Sequence, residues 1–213
     1  MKLMDGDRLL PIRCRRRDFL LGAGFFTGLA VASQWRPVLA QPRFSSYPFS
    51  LGVASGDPLP NSVVLWTRLA IDPLNGGGMP PENIIVRWSV AVDKNMTKIV
   101  RSGQTLATPE LAHSVHVDVR GLEPGRWYWY QFRVGNEVSP IGRTRTAPAL
   151  NTSIPQLNLA FASCQDWQNG YYTAYKHMAD EELDLVVHLG DYIYEYEAQP
   201  DKLRQHMVPK SLP

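Results

Sequence analysis

The stretch "VDVRGLEPGRWYWYQFRV", residues 117–134, is the clearest indication of fold in this 213-residue chain. Apolar and polar residues alternate on both sides of the turn-forming segment "GLEPG". An alternation with a period of two places the two sets of side chains on opposite faces of a β-strand. The stretch therefore predicts two strands separated by a turn, each with one apolar face.

The same alternation recurs between Pro48 and Ala149. It is present in "SVVLWTRLA" (62–70) and in "NIIVRWSV" (83–90), and turn-rich segments such as "NGGGMPPEN" (75–83) separate the strands. Several short strands with turns of this composition are typical of an antiparallel β-sandwich. We therefore expect residues 48–149 to form one sandwich domain, with Trp88, Tyr128 and Tyr130 in its core.

The turn in the opening stretch resembles the corner of fibronectin type III domains, in which the pattern is Leu-x-Pro-Gly-x-x-Tyr. Leu122, Pro124, Gly125 and Tyr128 match that pattern. The resemblance implies a fibronectin-III-like sandwich. Domains of this kind serve as spacers or binding modules, so the fold alone does not establish a function.

The first 40 residues have the composition of an export signal. Arg16 and Arg17 precede an uncharged run from Phe19 to Gln34, and Ala40 stands at a small-residue cleavage position. The paired arginines followed by Phe-Leu resemble a twin-arginine signal, which implies the Tat translocase as a partner and a location in the periplasm or outside the cell. The run is shorter than the roughly 20 apolar residues of a spanning helix. An uncleaved membrane anchor remains the alternative.

The leader also accounts for the positive charge of the chain. Residues 1–40 hold seven Lys/Arg and three Asp/Glu, so the +2 of the whole chain leaves −2 for the remainder. This balance gives no electrostatic case for nucleic-acid binding.

The pattern changes after a linker at Pro148–Gln156. "LNLAFAS" (157–163) and "LDLVVHLGD" (183–191) are short apolar runs that predict buried parallel strands. Between them lies a predicted helix whose stripe consists of Tyr172, Tyr175, Met178, Ala179 and Glu182. Strand, helix and strand predict a βαβ unit, and hence the start of an α/β domain at residues 156–213.

The carboxyl ends of these two parallel strands should lie at one edge of the sheet, where α/β folds place ligands. Cys164 follows the first strand, Asp191 follows the second, and Tyr194 comes three residues later. Thiol and phenol groups ionise near pH 8.5 and 10, so binding both as anions favours a strongly Lewis-acidic ion such as ferric iron. Zinc rarely takes tyrosine.

On spacing alone, a structural interpretation stays open. Asp191 could cap a turn, Tyr194 could pack, and Cys164 could fill a gap as a buried apolar residue. Cys164 is the only cysteine outside the leader, so an internal disulfide in the exported part is excluded.

Two motifs together resemble the alkaline phosphatase D (PhoD-like) family of the calcineurin-like metallophosphoesterases: "FASCQ" (161–165) and "HLGDYIYE" (188–195). The stretch "FSLGVASGDPLPNSVVLWTRL" (49–69) and the leader resemble the same family. The resemblance implies that Cys164, Asp191 and Tyr194 bind ferric iron and that Asp191 bridges to a second site, which holds calcium. It implies phosphate mono- and diesters as substrates, outside the cytoplasm.

Members of this superfamily have further ligands downstream, and only His206 follows Tyr194 before Pro213. We therefore expect residues 156–213 to be a truncated start of the metallophosphatase domain, inactive alone, and we assign no catalytic proton-transfer residue. The alternative is a non-catalytic exported sandwich that binds a surface polymer or partner, with a vestigial tail. A fragment without function is the third possibility.

Overall fold

The computed structural model describes residues 42–194 and 199–205. The predicted signal residues Arg16, Arg17 and Ala40 lie outside the described residues, as does His206. In the part of the chain that is described, no helix is long and apolar enough to cross a membrane.

The first half forms two antiparallel sheets. Its strands are β1 (Val53–Leu59), β2 (Ser62–Arg68), β3 (Ile84–Ala91), β4 (Ile99–Ala107), β5 (Ser114–Arg120), β6 (Trp127–Val134), β7 (Glu137–Val138) and β8 (Gly142–Arg145). One sheet has the order β1-β2-β5. The other has the order β4-β3-β6-β7, and β8 also pairs with β6. All of these pairings are antiparallel, which confirms the predicted sandwich.

The core lies between the two sheets and is filled by the alternating residues that the sequence predicted. Its large, fully buried side chains come from both sheets and include Leu65, Val86, Val115, Tyr128, Tyr130 and Phe132. Tyr130 and Phe132 meet edge to face with ring centroids 6.2 Å apart. The prediction for Tyr128 and Tyr130 is thus confirmed, whereas Trp88 packs against the core and is only partly buried.

The corner before β6 has the geometry that the fibronectin type III pattern predicts. Leu122 is buried, and Gly125 has a φ of 65°, a left-handed backbone that glycine adopts without steric cost. The Tyr128 hydroxyl accepts a 2.8 Å hydrogen bond from the backbone N–H of Glu123. This is a tyrosine corner, in which a buried tyrosine satisfies a turn amide that would otherwise lack a partner.

The last strand of the sandwich is interrupted. β7 and β8 pair with the same side of β6 and are separated by Ser139, Pro140 and Ile141. Ser139 is buried, and its N–H donates to Phe132 O at 2.9 Å while its Oγ accepts from Phe132 N–H at 2.9 Å. The Ser139 Oγ therefore takes the place of a backbone carbonyl as the acceptor for Phe132 N–H, where the edge strand is interrupted.

The second part contains β9 (Leu159–Ala162), the helix α1 (Thr173–Asp180) and β10 (Leu185–His188). β9 and β10 pair in parallel, with Leu185 opposite Leu159 and His188 opposite Ala162. The predicted βαβ unit is confirmed. Its apolar faces remain largely uncovered in the described residues, with Val186 50% and Phe161 67% exposed.

The helix is shorter than its predicted apolar stripe. Tyr172 is the N-cap residue and has a left-handed backbone with a φ of 56°, so the helix begins only at Thr173. At the other end Glu181 is extended, and its N–H bonds to Met178 O. Tyr172 and Glu182 therefore lie outside the helix, because the chain turns at both ends to reach the adjacent strands.

An ion pair joins the sandwich to the parallel unit. Arg145 of β8 hydrogen-bonds the Asp184 carboxylate, and the other oxygen of Asp184 accepts from the N–H of Asn158 at 3.0 Å. Nearby, the Arg143 guanidinium lies 4.3 Å from the ring centroid of Trp127. The Asp184 contacts link the last sandwich strand to the start of both parallel strands.

Candidate metal centre

The carboxyl ends of β9 and β10 are joined by backbone hydrogen bonds. The N–H of Cys164 donates to Gly190 O at 3.1 Å, and the N–H of Gln165 donates to Asp191 O at 3.2 Å. The parallel pairing thus continues past the strands into the two turns. Cys164 and Asp191 are held side by side, as their positions after parallel strands predicted.

The three predicted side chains converge on one carboxylate oxygen. Cys164 Sγ lies 3.6 Å from Asp191 Oδ2, and the Tyr194 hydroxyl donates to the same Oδ2 at 3.0 Å. Cys164 is exposed and is not in a disulfide. The interpretation of Cys164 as a buried gap-filler is wrong, because the side chain faces solvent beside two other donor groups.

Both turns carry unusual backbone conformations at the site residues themselves. Cys164 has a φ of 56° and Asp191 a φ of 51°, in the left-handed region that costs a non-glycine residue about 1–2 kcal/mol. Gly190, just before Asp191, has a φ of 129°, which a side chain would not tolerate. Strained backbone of this kind concentrates at functional sites, where it aims a side chain.

The electrostatics of the cluster oppose ionisation of the phenol. The pKa of Tyr194 is raised, first by desolvation and then by its contacts with Cys164 and Asp191. The phenol therefore stays protonated and donates its hydrogen bond to Asp191 when no cation is present. A cation between these groups would favour the ionised phenol instead.

The donor set fits ferric iron. A thiolate, a carboxylate and a phenolate are one soft and two hard anionic donors, whereas calcium and magnesium take oxygen ligands alone. Within residues 42–194 and 199–205, no group of three or more His, Cys, Asp or Glu could hold a metal ion.

His188 and Gln165, which had no predicted role, hold the turns in place. Gly190 N–H donates to His188 Nδ1 at 3.3 Å, and the Tyr192 ring packs against the His188 ring at 5.0 Å. Gln165 Nε2 donates to the backbone oxygen of Tyr192 at 3.1 Å. The signal for both was their position, since His188 ends β10 and Gln165 directly follows Cys164.

A cavity of about 360 Å³ opens beside this cluster. Four aromatic residues form the largest part of its lining, which consists of Leu74, Gln165, Asp166, Trp167, Gln168, Tyr172, Tyr192, Ile193 and Tyr194. Gln168 is buried, and its Oε1 accepts from Gln199 N–H at 3.1 Å. The loop after Cys164 is thereby attached to a segment that comes after the candidate ligands.

Comparison with known proteins finds matches to both parts of the chain. A family model described as "PhoD-like phosphatase, N-terminal domain" matches residues 32–148, and one described as "PhoD-like phosphatase" matches residues 159–213. Alkaline phosphatase D of Bacillus subtilis (strain 168) is 59% identical over 187 residues, which cover 85% of this chain and 32% of that protein.

A solved structure described as "Structure of PhoD" superposes with a TM-score of 0.73. It is 64% identical, and the match covers 74% of this chain and 30% of that one. The chain thus spans about a third of the length of the relatives it matches. On the matches of both family models and of the solved structure, this chain belongs to the PhoD-like phosphatase family.

Proposed function

We propose that this chain provides the first ligands of a metal-dependent phosphoester hydrolase that acts outside the cytoplasm. The observation that carries the proposal is the convergence of Cys164 Sγ and the Tyr194 hydroxyl on Asp191 Oδ2, at 3.6 and 3.0 Å. Three donors of different chemistry, brought from two strand ends to one oxygen, have no evident packing role on an exposed edge.

Ferric iron is the ion for Cys164, Asp191 and Tyr194. The Asp191 carboxylate would also contact a second ion, for which the family resemblance suggests calcium. A carboxylate oxygen suits calcium, whereas the thiol and the phenol do not. Cys164, Asp191 and Tyr194 would thus hold the first ion, and Asp191 would also help to hold the second.

Bound ions would neutralise charge on the phosphoryl group and on its leaving oxygen. The chain's own contribution is to hold the ligands. The bonds from Cys164 N–H and Gln165 N–H fix the two turns against each other, and His188 fixes the amide of Gly190. Ligands held in this way lose little freedom when an ion or substrate binds.

The proposed substrates are phosphate mono- and diesters, and the proposed route of export is the Tat translocase. Arg16 and Arg17 carry the export proposal. Replacing both by lysine should retain the protein inside the cell, as cell fractionation would show. Normal export of that variant would refute the twin-arginine route.

The second candidate is a non-catalytic sandwich that binds a surface polymer or partner. It is favoured by the completeness of the sandwich core, which needs no contribution from the parallel unit. It does not explain why a thiol, a carboxylate and a phenol lie together at an exposed edge in Cys164, Asp191 and Tyr194.

The experiment compares the wild-type protein, expressed from its complete gene, with its Asp191→Asn variant. Both are assayed on a chromogenic phosphomonoester and a phosphodiester with ferric iron and calcium supplied. We expect Asp191→Asn to lower the rate by about a hundredfold or more, since it removes an ionic ligand of both sites. A measurable wild-type rate that Asp191→Asn leaves unchanged would favour the binding module.

A further inference from the structure

The cavity beside the candidate metal centre, hereafter the aromatic cavity, is continuous with that centre. Tyr194 lines the cavity and also donates to Asp191 Oδ2. Gln165 lines it too, next to Cys164 in the chain, and donates to the Tyr192 backbone. A group attached to a phosphate at the metal centre would therefore meet this cavity directly.

The walls of the cavity are held by an arginine behind them. The Arg204 guanidinium lies 5.6 Å from the ring centroid of Trp167 and 5.2 Å from that of Tyr172. Arg204 Nη1 also donates to the backbone oxygen of Trp167 at 3.0 Å, and Arg204 N–H donates to Gln168 O. The two rings are thus positioned before any ligand arrives, which lowers the entropic cost of binding.

The sandwich supplies one wall of the same cavity. Leu74 lies in the loop between β2 and β3, at a turn in which Asn75 Nδ2 donates to Asp72 Oδ1 at 3.0 Å and Gly77 N–H donates to Asp72 O at 2.9 Å. An exposed leucine on such an ordered turn presents apolar surface to the rings across the cavity. The sandwich therefore takes part in shaping the region next to the metal centre.

We propose that the aromatic cavity binds a flat organic ring carried by the alcohol of the phosphate ester, in preference to a short alkyl group. The proposal rests on the proposed function, because it needs the phosphate of the ester to be bound at the metal centre that contains Asp191. Aromatic side chains offer broad apolar faces on which a ring stacks, and a volume of about 360 Å³ accommodates one. A methyl or ethyl group would leave most of these walls in contact with water.

The test measures the dissociation constants of phenylphosphonate and methylphosphonate for the full chain with ferric iron, by ligand-observed NMR. We expect the phenyl compound to bind about tenfold more tightly, as a stacked ring does. Tyr172→Leu and Leu74→Asp should bring the ratio close to one. Tyr171→Leu is the matched control, because Tyr171 is adjacent, 77% exposed and outside the lining.

A ratio near one in the wild-type chain, or an equal loss in Tyr171→Leu, would overturn the ring proposal. If Tyr172→Leu does not fold, Tyr192→Leu tests the opposite wall in the same way. Titration with phenol, without iron, separates the two proposals. If the wild-type chain binds phenol but neither iron nor the phosphonates, and Tyr172→Leu loses phenol binding, the ring site is supported and the metal centre is refuted. Iron binding with equal affinities for the two phosphonates would support the metal centre and refute the ring site.

Discussion

Cys164 and Asp191 are 27 residues apart in the chain, yet Cys164 Sγ lies 3.6 Å from Asp191 Oδ2. Both residues have a left-handed backbone, and each lies in the turn that follows one of the two parallel strands. The strain in two separate turns serves the same outcome, since each turn directs its side chain toward the same exposed point. This relationship is the structural basis of the proposed metal centre.

We expect Cys164→Ser to weaken ferric iron binding by about tenfold or more, because a neutral hydroxyl replaces a thiolate donor. The measurement is iron content after equilibrium dialysis against a competing chelator. Ser163→Ala is the control, since Ser163 is the exposed neighbour in the same turn. Iron retention equal to that of the wild type would exclude Cys164 as a ligand.

Asp184→Asn should loosen the parallel unit from the sandwich by about 1–2 kcal/mol, because it removes a carboxylate that holds both Arg145 and the Asn158 amide. Hydrogen exchange of the β9 and β10 amides measures this opening. Glu182→Gln is the matched control, since its 3.7 Å pair with Arg143 involves a carboxylate that is 90% exposed and should contribute almost nothing.

The same pair predicts a pH dependence. The pKa of Asp184 is lowered, first by the hydrogen bond from the Asn158 N–H and then by Arg145. A carboxyl group with a lowered folded-state pKa contributes its stability above the unfolded pKa near 3.9 and loses it as the pH falls through the folded value. The wild-type advantage over Asp184→Asn should therefore be complete at pH 6 and shrink below about pH 4. An advantage unchanged down to pH 2 would contradict this assignment.

Tyr130→Phe should reduce the loss of folding stability that the sandwich shows at alkaline pH. Burial raises the pKa of Tyr130 to about 12, so the folded state keeps the proton that the unfolded chain loses near pH 10. The stability this provides is present below pH 10 and is lost by about pH 12. Denaturant unfolding at pH 8 and pH 11.5 should show a smaller decline for Tyr130→Phe than for the wild type. The exposed Tyr171→Phe should decline as the wild type does.

Gly142→Ala should destabilise the sandwich by about 1–3 kcal/mol through overpacking. Gly142 lies opposite Tyr130 in the β6–β8 pair, and a Cβ atom there would lie 2.6 Å from Cε1 of that buried ring. Gly56→Ala is the control, because nothing lies within 4 Å of its Cβ position. Equal unfolding midpoints for the two variants would show that Tyr130 has room to move.

The sandwich was predictable because its signal is local. Period-two alternation reports which face of a strand is buried, and the Leu-x-Pro-Gly-x-x-Tyr pattern places Tyr128 where its hydroxyl reaches the Glu123 amide. The interruption between β7 and β8 was not predicted. It depends on the Ser139 Oγ replacing a backbone carbonyl as the acceptor for Phe132 N–H, which no alternation of residue types encodes.

The candidate site was predictable to the level of its residues and not of its surroundings. The rule that parallel strands end at one edge brought Cys164, Asp191 and Tyr194 together. The left-handed conformation at Cys164 was not predicted, because cysteine does not favour it. Asp191 also adopts it, and aspartate does so more readily than most residues. The aromatic cavity was also not predicted, because it brings Leu74 of the sandwich together with aromatic rings from Trp167 to Tyr194, far along the chain.

The most direct test of the metal centre is the visible absorption spectrum of the chain titrated with ferric iron. A tyrosine phenolate bound to ferric iron gives a charge-transfer band, so we expect the wild-type chain to become coloured. Tyr194→Phe should bind iron more weakly and lose the band, whereas Tyr192→Phe, two residues away and not hydrogen-bonded to Asp191, should keep it. A coloured Tyr194→Phe variant with the wild-type spectrum would contradict the account, because the phenol that donates to Asp191 would then not be a ligand.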